Sequence, residues 1–289
     1  MKQIPASELI INPDGTIFHL HLTPDQISDK IILVGDPARV DLVASHFDTQ
    51  EVNVSSREFH TITGTYKGKR LTVLSHGIGT DNIDIVVNEL DALANIDFET
   101  RMVKEKPVVL EMVRIGTSGG LQPFVPVGTF VVSQSSIGFD GVLNFYANRD
   151  SVCDLEFEKA FVEYTKYPAQ AAAPYVVDAN AELVDRIAKD DMVLGITISA
   201  NGFYGPQGRE LRLPLAVPDL NARIESFDFH GRKVTNYEME SSALAGLSLL
   251  LGHKAMTVCS IIANRVAHNT NTSYKNSIND LIKLVLDRF

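Results

Sequence analysis

Short apolar runs alternate along this chain with longer stretches in which apolar residues recur every three or four positions. Ile31–Val34 reads as a buried strand, and a helix follows through Ala38–Phe47. Leu71–Ser75 reads as another strand. The helix after it, Asn82–Ile96, carries Ile83, Val86, Val87, Leu90, Leu93 and Ala94 on one face. Val108–Ile115 and Thr129–Ser133 read as strands. Helical spacing returns over Glu158–Tyr164 and Asn180–Lys189. Val193–Ala200 is a strand, and Glu240–Leu251 is a helix closed by Gly252 at its C′ position. Ala255–Ala263 is a strand, and Ile278–Phe289 is a terminal helix. The alternation predicts an α/β fold, a layered α/β/α arrangement with a mixed central sheet and helices on both faces. Ligands of such folds sit at the carboxyl ends of the strands. No linker-like stretch divides residues 1–289, so they read as a single domain with an N-terminal extension over 1–16.

Composition narrows the function classes. Lys+Arg total 26 against 36 Asp+Glu, a net charge of −10. General nucleic-acid binding needs a basic footprint and is not expected. An anion would have to be held by a few focused arginines. The two cysteines, Cys153 and Cys259, suggest a reducing, cytoplasmic setting, and no zinc spacing is present. Met1–Asp14 lacks the basic start and apolar run of a signal peptide, and no stretch reads as a membrane span.

Five motifs carry candidate chemistry. In Asn201-Gly202-Phe203-Tyr204-Gly205-Pro206-Gln207-Gly208-Arg209, an aromatic ring precedes an amide and a guanidinium in a glycine-rich loop after a strand. Phe203 can stack on a flat heterocycle. Gln207 offers an acceptor and two donors, and Arg209 offers donors only. Together they match an acceptor–donor–acceptor edge such as that of uracil. A surface turn with a solvated arginine is the plainer reading. In Gly35-Asp36-Pro37-Ala38-Arg39, Asp36 caps a helix opened by Pro37. Gly35 permits close approach, and Arg39 stands near an anion-favouring helix terminus. A capped helix with an exposed arginine fits these residues too. In Arg114-Ile115-Gly116-Thr117-Ser118-Gly119-Gly120, a guanidinium fork and Thr117 suit phosphate, while the glycines would open backbone N–H groups. Neither a Walker loop nor a dinucleotide fingerprint is present. Asn236-Tyr237-Glu238-Met239-Glu240 opens a helix; its carboxylates either complement the helix dipole or accept from vicinal hydroxyls. Phe18-His19-Leu20-His21-Leu22-Thr23 alternates as an edge strand with both histidines on one face.

In this order, from His19 to Arg265, these motifs resemble the nucleoside phosphorylase family, its uridine phosphorylase branch in particular. The resemblance implies a nucleoside phosphorylase-like fold and reversible phosphorolysis of uridine to uracil and ribose 1-phosphate. It implies that Gly35, Arg39, Arg114 and Thr117 hold phosphate, with Arg57 of Ser56-Arg57-Glu58-Phe59 reaching in from a neighbouring subunit. Met239 and Glu240 would hold ribose, supported by Glu238, with the neighbour's His19 at the 5′ hydroxyl. Phe203, Gln207, Arg209 and Arg265 would hold the base, and Arg209, Gln207 and Arg114 would carry catalysis. The resemblance further implies a homo-oligomer, a hexamer built from dimers. Phosphate is a co-substrate, and no cofactor or resident metal is expected.

The chain departs from the family at Gly77-Ile78-Gly79-Thr80-Asp81-Asn82, where Gly-x-Gly-x-Pro-Ser is usual. In some relatives that serine helps hold a monovalent cation at a dimer interface. With Asn82 there, and only Glu58 and Ile78 matching, such an ion is in doubt. Residues 97–106 also lengthen one connection. The other readings are a purine nucleoside phosphorylase or nucleosidase of the same fold, or a non-catalytic nucleoside-binding protein. Purine enzymes of this type typically carry a Ser-Asp pair after the last long strand, where Ser260-Ile261-Ile262-Ala263-Asn264-Arg265 has no aspartate.

Overall fold

The strand over Lys30–Val34 turns alternate residues to opposite faces. Ile31 and Leu33 join one apolar cluster, and Ile32 and Val34 join another. A strand buried on both sides needs helices on both sides. The computed structural model, which describes residues 3–264, 269–270 and 275–289, has them there. In chain order the strands are β1 (Lys30–Val34), β2 (Thr49–Ser56), β3 (Phe59–Tyr66), β4 (Lys69–Ser75), β5 (Ile96–Asp97), β6 (Met102–Val103) and β7 (Glu111–Gly120). They continue as β8 (Phe130–Gly138), β9 (Tyr175–Asp178), β10 (Val193–Ser199), β11 (Asp228–Phe229), β12 (Arg232–Glu238), β13 (Lys254–Asn264) and β14 (Asn269–Thr270). The helices are α1 (Pro37–Ala44), α2 (Thr80–Asn95), α3 (Leu155–Thr165), α4 (Ala181–Ile187), α5 (Leu220–Ser226), α6 (Ser241–Leu251) and α7 (Lys275–Arg288).

The main sheet is mixed, as expected, in the order β11-β12-β10-β8-β13-β7-β1-β4-β3-β2. Helices α2 and α6 bury their apolar stripes in the first cluster, and α1, α4 and α7 in the second. The six α2 residues picked out by helical spacing all lie in the first cluster. Burying each such aliphatic side chain stabilises by about 1.5–3 kcal/mol. Helices α3 and α5 close a third cluster with Phe157, Phe161 and Phe227. The sheet also curls. Strand β12 pairs with β10 on one side and antiparallel with β7 on the other, so β7-β13-β8-β10-β12 closes into a ring. The carboxyl ends of β7, β10, β12 and β13 thereby face one region.

Four readings of the sequence are corrected. Phe18–Thr23 is not an edge strand. The Glu89 carboxylate on α2 accepts from the backbone N–H groups of His19 (3.0 Å) and Leu20 (2.9 Å) and folds the segment into a turn. His19 pairs with Glu89 at 2.6 Å, whereas His21, at φ +57°, pairs with Asp14 at 3.0 Å, so the two histidines have separate partners. Second, the glycine run 116–120 is part of β7 rather than a loop after it. Its glycines make room for side chains: a Cβ on Gly116 would lie 2.8 Å from Arg114 Nη1, and one on Gly120 would lie 2.9 Å from Asn264 Nδ2. Third, residues 108–110 lie outside β7, because Asn95 Oδ1 takes the Val108 N–H at 2.6 Å. Fourth, Asn236–Glu238 ends a strand, and α6 starts only at Ser241. Residues 97–106 include a short hairpin, β5–β6, in which Arg101 Nε donates to the Ile4 carbonyl at 3.0 Å.

At the amino end of β7, Glu111 accepts from Arg186 (2.8 and 3.0 Å) and Lys30 (2.6 Å). The Arg186 hydrogen bonds, opposed by partial burial and joined by Lys30, hold its carboxyl down at about 2 from an ordinary 4.5. A depressed folded pKa gives stability that is present above the unfolded value and is lost as pH falls from about 4.5 towards 2. Glu111→Gln should therefore cost about 2 kcal/mol at pH 7, with the gap shrinking at pH 3. Urea unfolding of both proteins at the two pH values checks this. An undiminished gap at pH 3, or none at pH 7, contradicts it.

Candidate active site

A cavity of about 770 Å³ opens where β1, β4, β7, β10, β12 and β13 end. From the end of β1 come Gly35 and, on the first turn of α1, Arg39. The turn is fixed as the sequence implied: Asp36 Oδ1 accepts from Ala38 N at 3.0 Å, and Pro37 opens the helix. Arg39 Nη1 reaches the Ile115 carbonyl at 3.4 Å, which lays the guanidinium along β7. From β7 itself come Arg114 and Thr117. Glu238, Met239 and Glu240 line the cavity from the end of β12, and Phe203, Gln207 and Arg209 from the loop after β10.

Arg114 is the centre of the polar network. It is 4% exposed. Its Nη1 meets Glu238 Oε2 at 2.9 Å and Cys259 Sγ at 3.7 Å, and its Nη2 pairs with Glu240 Oε2. Its Nε donates to His76 Nε2 at 3.1 Å. Among the described residues, all three of its nitrogens are thus engaged, two of them by carboxylates that the sequence alone had assigned to another part of the ligand. Burial works against the guanidinium charge, but Glu240 and Glu238 outweigh it and raise its pKa further. Burial likewise raises Glu240 above the usual carboxylate range, with Arg114 pulling it back down. Burial and the Arg114 charge push His76 well below its ordinary value, so the ring is neutral and its Nε2 accepts a hydrogen bond from Arg114 Nε. Burial pushes the Cys259 thiol up to about 12, which keeps a third anion away from Arg114.

The two carboxylates differ in what holds them. Glu238 accepts from Ser199 Oγ (2.6 Å), Ser241 Oγ (2.8 Å) and the backbone N–H groups of Glu240 (2.9 Å) and Ser241. With its lone pairs filled by the protein, it fixes the backbone that carries Glu240. Glu240 is less occupied: Gly79 N donates to its Oε1 at 2.7 Å, and Arg114 holds the other oxygen. It lines the cavity with capacity to accept more.

At the other side, Gln207 is 3% exposed and Phe203 is exposed. Arg209 stacks over the Phe203 ring at 3.7 Å and donates to Gln207 Oε1 at 2.6 Å. The three residues expected to grip a flat ring therefore grip one another. Asn264, where a purine-type aspartate would stand, donates through Nδ2 to the Gln122 and Val125 carbonyls (3.0 and 2.9 Å). It buttresses a loop instead.

Two expected residues do not line this cavity. Arg57 sits in the two-residue turn between β2 and β3 at φ +56°, with its guanidinium 5.8 Å from the Phe18 ring, and Phe18 packs edge-on against His19. Arg57 and His19 thus belong to one patch of their own chain, away from the cavity lining. Arg265 lies outside the described residues. Sequence reasoning missed His76 as the partner of Arg114; its place before Gly77 at the end of a buried strand was the available signal. It also missed Glu58 and Asn82 as lining residues, having weighed them only for a cation. Asn82 Nδ2 instead stands 3.5 Å from the Ile78 carbonyl.

The sequence pattern of the phosphorylase superfamily matches residues 29–287. The uridine phosphorylase of Thermococcus kodakarensis is 29% identical over 276 residues, covering 93% of this chain and 84% of that protein. That of Escherichia coli is 29% identical over 279 residues, covering 94% and 96%. The crystal structure of a Trypanosoma brucei nucleoside phosphorylase, described as showing uridine phosphorylase activity, superposes with a TM-score of 0.86 at 30% identity, covering 97% and 98%.

Proposed function

The chain belongs to the phosphorylase superfamily, and from that premise we propose that it catalyses reversible phosphorolysis of uridine to uracil and ribose 1-phosphate. One observation carries the reading. A single cavity joins the Arg39–Thr117 group, the Glu240 carboxylate and the Gln207–Arg209 pair, supplied from opposite sides of the strand order β10-β8-β13-β7-β1.

Arg39, Thr117, the remaining Arg114 N–H and the backbone at Gly35 hold phosphate beneath the anomeric carbon. Positioning the nucleophile in this way removes much of the entropic barrier. Glu240 accepts from the ribose hydroxyls, Met239 packs against the sugar, and Glu238 keeps Glu240 in place. Phosphate is already nucleophilic, so the difficult event is cleavage of the glycosidic bond. The sugar becomes oxocarbenium-like while negative charge builds on uracil. Uracil N3–H takes over the Gln207 Oε1 acceptor from Arg209, and Arg209 turns its donors to the departing base. Donors aimed at charge that develops only during cleavage stabilise the transition state more than the substrate. The scheme requires no organic or redox cofactor.

Arg209→Ala should lower kcat by about 10²–10³-fold, by analogy with the loss of an oxyanion donor. Steady-state uracil release, wild type against variant, decides the matter. No release by the wild type, or a pure KM effect in the variant, overturns the scheme.

Arg57 of the partner subunit and His19 of the partner subunit complete the phosphate and 5′-hydroxyl contacts in this reading, because neither lines the cavity of its own chain. Arg57→Ala and Glu240→Ala should each be nearly inactive. Refolded together, they should regain part of the activity, through dimers with one intact site. Verified mixed oligomers that stay as inactive as either parent would rule out a shared site.

A further inference from the structure

The loop that carries Phe203, Gln207 and Arg209 is poorly supported from behind. Its inner face lines the site, but Tyr204, Gly205 and Pro206 border a second cavity of about 710 Å³ roofed by Leu211, Leu213 and Val217. The turn's own hydrogen bonds run from Gln207 N and Arg209 N to the Tyr204 carbonyl (3.1 and 2.9 Å) and from Gly208 N to Gly205 (2.8 Å). They set its shape and leave its place relative to the ribose side undefined.

That place is set by an amide from elsewhere. Asn221, at the start of α5, donates from Nδ2 to the Gln207 carbonyl at 3.0 Å and accepts on Oδ1 from Tyr237 Oη at 2.9 Å. Tyr237 is buried on β12 and directly precedes Glu238. The amide also occupies the space over Gly208, where an added Cβ would lie 2.2 Å from Nδ2 and where φ is +67°. Glycine at 208 thus serves both the left-handed turn and the approach of Asn221. Both hydrogen-bonding ends of one side chain are in use, one on the base loop and one on the strand leading to the ribose carboxylates.

We propose that Asn221 is a positioning residue for base recognition, registering the Gln207–Arg209 pair against the strand that carries Glu238 and Glu240. The proposal rests on the uridine phosphorolysis reading for its kinetic arm. The amide meets Gln207 and Tyr237 of the cavity lining and none of the residues assigned to phosphate, so its effect falls on the base and not on phosphate. A misplacement of about 1 Å can cost on the order of 10²-fold in rate.

The test compares Asn221→Ala, Asn221→Asp and Tyr237→Phe with wild type. Asn221→Asp keeps the size and the acceptor for Tyr237 but sets a carboxylate against the Gln207 carbonyl. For Asn221→Ala and Asn221→Asp, kcat/KM for uridine should fall about 10–100-fold while the phosphate KM stays within about twofold. Tyr237→Phe should lower kcat/KM for uridine by less, with the phosphate KM again within about twofold. In a Gln207→Ala background the Asn221→Ala effect should be smaller than in wild type, because part of it acts through the placement of the Gln207 side chain. Backbone hydrogen exchange at residues 205–209 should quicken in Asn221→Ala and stay unchanged over β7 and α2. A parallel loss of phosphate affinity, additivity with Gln207→Ala, or unaltered exchange at the turn overturns the proposal. If Asn221→Ala does not fold, the Asp and Phe variants decide by the same criteria. If the wild type releases no uracil, the function reading fails, and hydrogen exchange alone decides whether Asn221 fixes the loop.

Discussion

Inosine and adenosine should be cleaved with a kcat/KM roughly 10⁴–10⁵-fold below that of uridine. A site built to hydrogen-bond one polar edge rejects ligands that leave its groups unpaired by factors of this size. Here Gln207 is buried with its Oε1 held by Arg209, so a base that displaces Arg209 without offering an N–H leaves a buried acceptor unpaired. A purine leaving group needs a proton or a strong donor at N7. The residue in the corresponding place, Asn264, is buried and tied to two main-chain carbonyls. Turning it inward would strip the Val125 carbonyl of this donor, at about 1–3 kcal/mol, and leave the Gln122 carbonyl with the Val125 N–H alone. Base release from a nucleoside panel at saturating phosphate measures the ratio. Inosine turnover within tenfold of uridine would contradict the assignment of the base site.

Arg114→Ala should reduce both stability and activity. It removes the shared counter-ion of two buried carboxylates, and breaking a buried ion pair typically costs about 3–5 kcal/mol. Burial already raises the Glu240 pKa, and the variant loses the guanidinium that pulls it back. A raised folded pKa means that stability is lost as pH rises through it. The destabilisation relative to wild type should therefore be larger at pH 8 than at pH 5. Activity should fall at least about 10³-fold, since the ribose carboxylate and the phosphate group of residues are disrupted together. Arg114→Lys should recover little, because an ammonium cannot span Glu238, Glu240 and His76 as the guanidinium fork does. Thermal unfolding at the two pH values, with kinetics on the folded variants, checks this. A loss below about 1 kcal/mol, or a gap that widens towards pH 5, would contradict the role given to the pair.

What the sequence disclosed was mostly local. The Asp36–Pro37 cap, the helical period of α2 and the glycine stop after α6 need only nearby residues, and each lies where the pattern put it. Four of the five motifs disclosed the site because each lies at or just after the carboxyl end of a strand that the fold gathers. What escaped was long-range. The β2–β3 hairpin offers only Val52 and Val54 of β2 as a short apolar alternation among polar residues, and its pairing is what identifies it. The turn at Phe18–Thr23 is imposed by Glu89, about seventy residues away. The closure of the sheet depends on β12 meeting β7, and the Arg114–Glu238–Glu240 network depends on that closure. Read separately, those residues were divided between phosphate and ribose; in the fold they form one charged unit that bridges the two.

The central claim is that phosphate, not water, receives the sugar. Uracil release from uridine should be measured with the purified protein in phosphate-free buffer and again with added phosphate or arsenate, with ribose 1-phosphate quantified alongside. The account expects release only when the anion is present, with one ribose 1-phosphate formed per uracil in the phosphate reaction. Uracil release at a comparable rate without any such anion, yielding free ribose, would contradict it.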